Sequence, residues 1–226
     1  MTFSLVAYDE ATNSFGSIIC SSSPAVAARC AHLADGAGAA HTQNITDPRL
    51  GPRLLDLMAA GKPAGDAVEA VIAERPETAA YRQLLAVDMA GRTAVHSGRQ
   101  ALGTVAEHQA DGAAAAGNLL ADEAVPRRMV EAWHRSAGQP AETRLLAALR
   151  AAMAAGGEAG PVHSAGLSVV AGYGWRVTDL RADWSGDPLA DLEALLEVWL
   201  PQRADYIARA LRPQTSPGYG VPGDNR

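Results

Sequence analysis

Three times the chain runs strand, tight turn, strand, and between these units the helices come in pairs. This order restricts the fold more than any other feature of the sequence. Residues 2–9 and 15–21 flank the turn Glu10-Ala11-Thr12-Asn13-Ser14. Residues 81–88 and 93–97 flank Met89-Ala90-Gly91-Arg92, and residues 165–171 and 176–182 flank Gly172-Tyr173-Gly174. The first turn is rich in residues that accept tight backbone geometry and the other two carry Gly, so each unit reads as a β-hairpin. Two further strands are built of very small residues, 36–43 and 113–117, and 102–108 continues the sheet. The second small-residue strand ends on Gly117-Asn118. Helical spacing covers a segment opened by Asp47-Pro48, then 63–73, 125–133, 143–155, 187–199 and a last stretch ending near Leu211. Strands in antiparallel pairs with helix pairs between them exclude the regular βαβ alternation of a doubly wound fold. An α+β four-layer α-β-β-α sandwich of two antiparallel sheets satisfies the pattern. We expect one domain over residues 1–212 and an irregular tail over 213–226, which is rich in Pro and Gly.

Composition narrows the function classes. The chain is 48% hydrophobic and 19% charged, which suits a protein with a real core. A net charge of −6 argues against a general nucleic-acid binder, so no nucleic-acid partner is expected. Lys62 is the only lysine, and Gly61-Lys62-Pro63 reads as an exposed turn, so a buried catalytic lysine is excluded. Cys20 and Cys30 match no zinc spacing and make no disulfide framework. No basic region followed by an apolar run opens the chain, and no stretch is long enough to span a membrane. The expectation is a cytoplasmic protein with no membrane partner. A homo-oligomer is compatible with the chain, and no residue pattern sets a stoichiometry.

The first strand carries the sharpest chemical suggestion. Phe3, Leu5 and Ala7 alternate with Ser4, Val6 and Tyr8, giving one apolar and one mixed face. Thr2 is small, and initiator Met is normally trimmed before a small residue. Trimming gives Thr2 a free α-amine beside its hydroxyl, with a reference pKa of about 7.7–8.0, so the amine can serve the hydroxyl as base. Such a nucleophile needs donors for an oxyanion. Asn118 and backbone N–H groups at the Gly117-Asn118 strand end would serve, as would Asn44. The block from Gln43 to Arg53 joins a small-residue strand to a helix and suits an anion or a carbonyl. A capped helix with solvated arginines is the plainer account of the same residues. No Gly-rich phosphate loop and no G-x-S-x-G elbow is present, and no cofactor is expected. The six histidines include no tight ligand spacing, and no metal site is expected.

The chain also resembles a known family. MTFSLVAYD, SSSPAVAARCAHLADGAGAAHTQNITDPRLGPRLLDLMAAG, YRQLLAVDMAGRTAVHSG, AAGNLLA, LLAALRAAMAAGGEAGPVHSAGLSVV and VTDLRADWSGDPLADLEAL resemble, in order, the domain-of-unknown-function-1028 family over about residues 1–200. That family is regarded as similar to the N-terminal-nucleophile (Ntn) hydrolases, which implies the α-β-β-α sandwich and a reaction class more firmly than a substrate. On this match Thr2 looks like the N-terminal residue. The Thr42-Gln43-Asn44 to Gly51-Pro52-Arg53 block and Gly117-Asn118 look like signature positions. One departure falls at Gly160-Pro161-Val162-His163-Ser164-Ala165, where many members resemble G-R-Q-S-A. His163 then stands where Gln is frequent, either as a neutral change or as the mark of a different substrate.

The expected function is an amidohydrolase cleaving a small amide-type C–N bond, with Thr2 as nucleophile and Asn118 or Asn44 at the oxyanion. Gln43, Arg49, Arg53 and His163 are the candidate contacts to a small-molecule substrate, with Arg49 or Arg53 suited to a carboxylate. Two rivals stand beside it. One is a non-catalytic ligand-binding or scaffold protein on the same sandwich. The other is a metal-assisted hydrolase using His41, His96 or His163.

Overall fold

The computed structural model describes residues 2–224. The chain runs β1 (Thr2–Asp9), β2 (Ser14–Ser21), α1 (Val26–Cys30), β3 (Ala31–Ala34), β4 (Gly38–Asn44), α2 (Leu50–Ala59), α3 (Ala64–Ala73) and α4 (Pro76–Ala79). It continues with β5 (Arg82–Asp88), β6 (Thr93–Ser97), β7 (Ala106–Ala110), β8 (Ala113–Asn118), α5 (Val125–Arg135) and α6 (Ala141–Ala154). The last elements are β9 (Ser164–Val170), β10 (Arg176–Ala182), α7 (Pro188–Trp199) and α8 (Arg203–Leu211). Six strands pair in the order β10-β9-β2-β1-β8-β7 and four in the order β3-β4-β5-β6, all antiparallel. Among the described residues no helix is long and apolar enough to cross a membrane.

The two-residue period of the strands builds the layers. Odd residues of β1 (Phe3, Leu5, Ala7) join Ile18 and Cys20 of β2 and pack on Met129, Trp133, Leu145 and Leu149 of α5 and α6. The even residues face the other sheet, where Val6 packs with Phe15, Ala114, Ala116, Ala39, Leu85 and Val87. The outer face of the smaller sheet (Ala40, Leu84, Ala86) is covered by Leu54, Met58, Val68 and Val71 of α2 and α3. The result is helices, six strands, four strands, helices, which is the layering expected from the hairpin order. The small residues of β8 let the sheets approach: Ala113 and Ala115 face the helices, while Ala114 and Ala116 face β4 and β5.

Some elements differ from the sequence reading. Residues 31–34 form an extra strand, β3, which pairs with β4 through a turn containing Gly36 at φ 74°. The segment read as 102–108 is the shorter β7, and Asp111-Gly112 turns it into β8, with Gly112 at φ 69°. Helix α2 begins at Leu50; Asp47 sits outside it, and its Oδ1 accepts the backbone N–H of Arg49. Asp187 does cap α7, accepting from the backbone N–H of Ala190 at 3.0 Å.

Gly117 is fixed by close packing. A Cβ there would stand 2.5 Å from Leu120 Cδ2 and 3.1 Å from Phe3 Cβ. Gly117→Ala is therefore expected to destabilise the protein by about 1–3 kcal/mol through overpacking. A urea titration reading the shift in midpoint at constant slope checks it.

Candidate active site

Thr2 opens the strand that lies in the middle of the larger sheet. It stands opposite Asn118 in the β1–β8 register, and its Oγ1 hydroxyl donates to Ser21 Oγ of β2 at 3.3 Å. It is 4% exposed. The even residues of β1 face the smaller sheet, so the Thr2 side chain belongs to the layer between the sheets. That layer changes character along β1. Around Val6 it is apolar; around Ser4 and Thr2 it is polar.

Buried amides fill the polar end. Ser4 Oγ donates to Gln43 Oε1 at 2.7 Å, and Gln43 Nε2 donates to Gln83 Oε1 at 2.8 Å. Gln83 Oε1 also accepts from Asn118 Nδ2 at 3.0 Å, while Gln83 Nε2 donates to Ser97 Oγ and to the carbonyl of Gly117. Gln43, Gln83 and Asn118 are fully buried. Asn118 is thus held by one amide hydrogen, and its Oδ1 has no hydrogen-bond partner. A buried polar atom left unpaired costs about 1–3 kcal/mol, and this one lies on the strand end paired with Thr2.

A second polar chain leaves Thr2 on the β2 side. Ser21 Oγ lies 2.8 Å from Ser23 Oγ, and Arg29 Nη2 donates to Ser23 Oγ at 3.3 Å. The next residue of the same loop, Ser22, donates its backbone N–H to Glu158 Oε2 at 3.1 Å. Glu158 is buried, and its Oε1 has no partner. The loop that carries Glu158 is tied down rather than loose. Glu158 bridges to Leu120, and Ala159 N–H donates to the Leu119 carbonyl just beyond Asn118.

Burial holds the Glu158 carboxyl above its ordinary pKa of 4.5. The folded state then binds this proton more tightly than the unfolded chain. Its contribution favours folding below 4.5 and is lost as pH rises through the raised value. Glu158→Gln keeps the neutral shape and removes the ionisation. The variant is expected to hold its urea midpoint better than the parent as pH rises from about 4.5 to 8; parallel curves would refute this.

The remaining candidates from the sequence sit as follows. Gln43 lies in the amide chain beside Ser4. Asn44 ends β4 at φ 67°; its Nδ2 donates to the Tyr81 carbonyl at 2.6 Å and its Oδ1 accepts from Leu102 N–H, so it joins two loops. Arg49 forms a two-pronged ion pair with Asp47, and Arg53 does the same with Glu74 at the end of α3. Both arginines are exposed. His163 lies beside the β2 terminus, its backbone N–H donating to the Ser21 carbonyl at 2.8 Å, and its ring stacks on the exposed Trp184 with centroids 4.5 Å apart. His41 is buried between the sheets against Ser17, and His96 lies by the Ala79 carbonyl. Among the described residues no three His, Cys, Asp or Glu side chains gather as a metal would need.

Ser4, Ser21, Ser23, Arg29, Gln83 and Glu158 are site residues that the sequence reading did not single out. The alternation of β1 contained the signal for Ser4. Pairing of β1 with β2 placed Ser21 beside Thr2. Nothing local marked Gln83 or Glu158.

Comparison with known proteins follows the geometry. The model of the family of unknown function DUF1028 matches residues 2–192. The fold is similar to the crystal structure of protein SPO2555 from Silicibacter pomeroyi, which is assigned to the same family model. The TM-score is 0.83 at 28% sequence identity, over 92% of this chain and 94% of that one. No curated protein matches the sequence.

Proposed function

Because the chain belongs to the DUF1028 family, whose description assigns no reaction, we propose one from the site itself: an N-terminal-nucleophile amidohydrolase acting on a small amide. The observation that carries the reading is the buried Thr2 hydroxyl at the head of the central strand, opposite an Asn118 amide that is only partly satisfied.

Removal of Met1 frees the Thr2 α-amine. Thr2 Oγ1 attacks the carbonyl carbon of the amide while its proton passes to the amine, directly or through a water. The carbonyl π pair moves to oxygen. The second Nδ2 hydrogen of Asn118, beyond the one given to Gln83, is available to that oxyanion. Asn118 suits this better than Asn44, whose amide already joins two loops. Collapse of the intermediate breaks the C–N bond, and the ammonium returns its proton to the leaving nitrogen. Water then hydrolyses the acyl-threonine ester and restores the enzyme. The Asn118 Oδ1 acceptor is suited to orienting the Thr2 ammonium between these steps.

Intact mass of the native protein is expected to show Met1 absent, and a β-lactone is expected to add one acyl group at Thr2. An excess of a small amide substrate should slow that labelling. A protein that quantitatively keeps Met1, or one that the β-lactone leaves unlabelled, would sink the mechanism and favour a binding role on the same fold.

A further inference from the structure

We infer that the substrate carries a carboxylate and that Arg29 binds it, a reading that rests on Thr2 as the nucleophile. Arg29 lies at the end of α1, half-buried. Its Nη2 donates to the Pro24 carbonyl at 2.7 Å and to Ser23 Oγ at 3.3 Å, both uncharged acceptors. Among the described residues no carboxylate lies within 4.0 Å of it. This separates it from the two arginines that the sequence favoured, since Arg49 and Arg53 already hold Asp47 and Glu74.

A guanidinium has five N–H donors in a planar fork that fits a carboxylate. Withdrawn partly from water with no anion beside it, Arg29 has unused capacity where an anion would be stabilised. Its position is what gives the capacity meaning. From Arg29 the path runs to Ser23 Oγ, to Ser21 Oγ at 2.8 Å, and to Thr2 Oγ1 at 3.3 Å. Three hydrogen-bond steps of about 3 Å each put the guanidinium within roughly 10 Å of the nucleophile. A small N-acyl amino acid, whose carboxylate is a few bonds from its amide, has the length to reach from one to the other. The chain carries a net charge of −6, so an anionic substrate needs a local cation to be held.

The test is a ligand-observed NMR titration with N-acetylglycine and N-acetylglycinamide, which differ only in the carboxylate. The wild-type protein is expected to bind the acid at least about tenfold more tightly than the amide. Arg29→Gln is expected to bring the two within about twofold, with circular dichroism confirming the fold. Arg29→Lys keeps the charge but loses the fork, and an intermediate preference is expected. Equal binding of both ligands by the wild type would overturn the assignment. So would a preference that survives in Arg29→Gln, or one that vanishes in Arg53→Gln instead. Labelling of wild-type Thr2 by the β-lactone is read separately. An Arg29-dependent acid preference without that labelling would leave a carboxylate-binding site and remove the nucleophile reading. Labelling without the preference would do the reverse.

Discussion

Thr2→Val is expected to abolish β-lactone labelling, down to the background of surface hydroxyls, while leaving the fold intact. Val replaces the hydroxyl by a methyl at nearly constant volume, so the head of β1 stays filled. The hydrogen bond to Ser21 Oγ is lost with it. A neutral hydrogen bond contributes only about 0.5–1.5 kcal/mol, too little to unfold an ordinary domain. Removing a nucleophile outright can cost several orders of magnitude in rate, so activity and stability separate cleanly in this variant. Thr2→Ser is the complementary test. It keeps the hydroxyl and a small residue after Met1, and labelling is expected to persist. Thr2→Ala leaves a cavity as well as no hydroxyl, and is expected to match Thr2→Val in labelling while being less stable. Mass spectrometry of the acylated protein, with peptide mapping of the adduct, reads all three. An adduct that remains in Thr2→Val, or one that maps to Ser21 or Ser23, would move the nucleophile elsewhere.

The layers were legible because alternation is a strong signal where each strand face meets a different medium. In β1 the odd residues meet helices and the even ones meet the second sheet, and the residue types divide accordingly. Strand β3 was missed because four residues, two of them Ala, carry too little pattern. The Thr2 and Asn118 pair was legible as two strand ends with useful chemistry. Gln83 was not, since an amide in a strand reads as a solvent-facing residue until another sheet covers it. Glu158 sits in Gly156-Gly157-Glu158-Ala159-Gly160, which looks mobile in sequence; the bridge to Leu120 that buries it joins residues 38 positions apart. Arg49 and Arg53 show the opposite difficulty. Their proximity to a helix start suggested an anion site, but the carboxylate that holds Arg53 is 21 residues away, just past the end of α3. Pairing of that kind is a property of the packed surface.

The second large effect concerns stability in acid. His41 lies in the middle layer, fully buried, with Nε2 2.5 Å from Ser17 Oγ and Nδ1 without a partner. Burial, helped by His32 and Arg176, pushes its pKa from the ordinary 6.5 down to about 3. The native protein therefore holds His41 neutral through a range in which the unfolded chain takes up a proton. The stability this contributes is complete above 6.5 and is lost as pH falls toward 3. Each pH unit in that window costs about 1.4 kcal/mol, and the total is on the order of 5 kcal/mol. A loss of that size is comparable with the whole stability of many domains. Three other groups bear on the prediction. Asp47, drawn down to about 2 mainly by its hydrogen bond to Arg49, works in the same direction but only below its ordinary 3.8. Glu158 works in the opposite direction above 4.5. His32, also lowered by burial, adds to the His41 slope. His41→Gln removes the titration while its amide can still reach Ser17. The variant is expected to be less stable than the parent at pH 7, because an amide does not fill the imidazole space. Its unfolding free energy should nevertheless fall far less between pH 6.5 and pH 4, and the two curves should converge in acid. Urea titrations at half-unit intervals of pH measure this directly. Parallel curves would mean that His41 charges without penalty, and would refute the prediction.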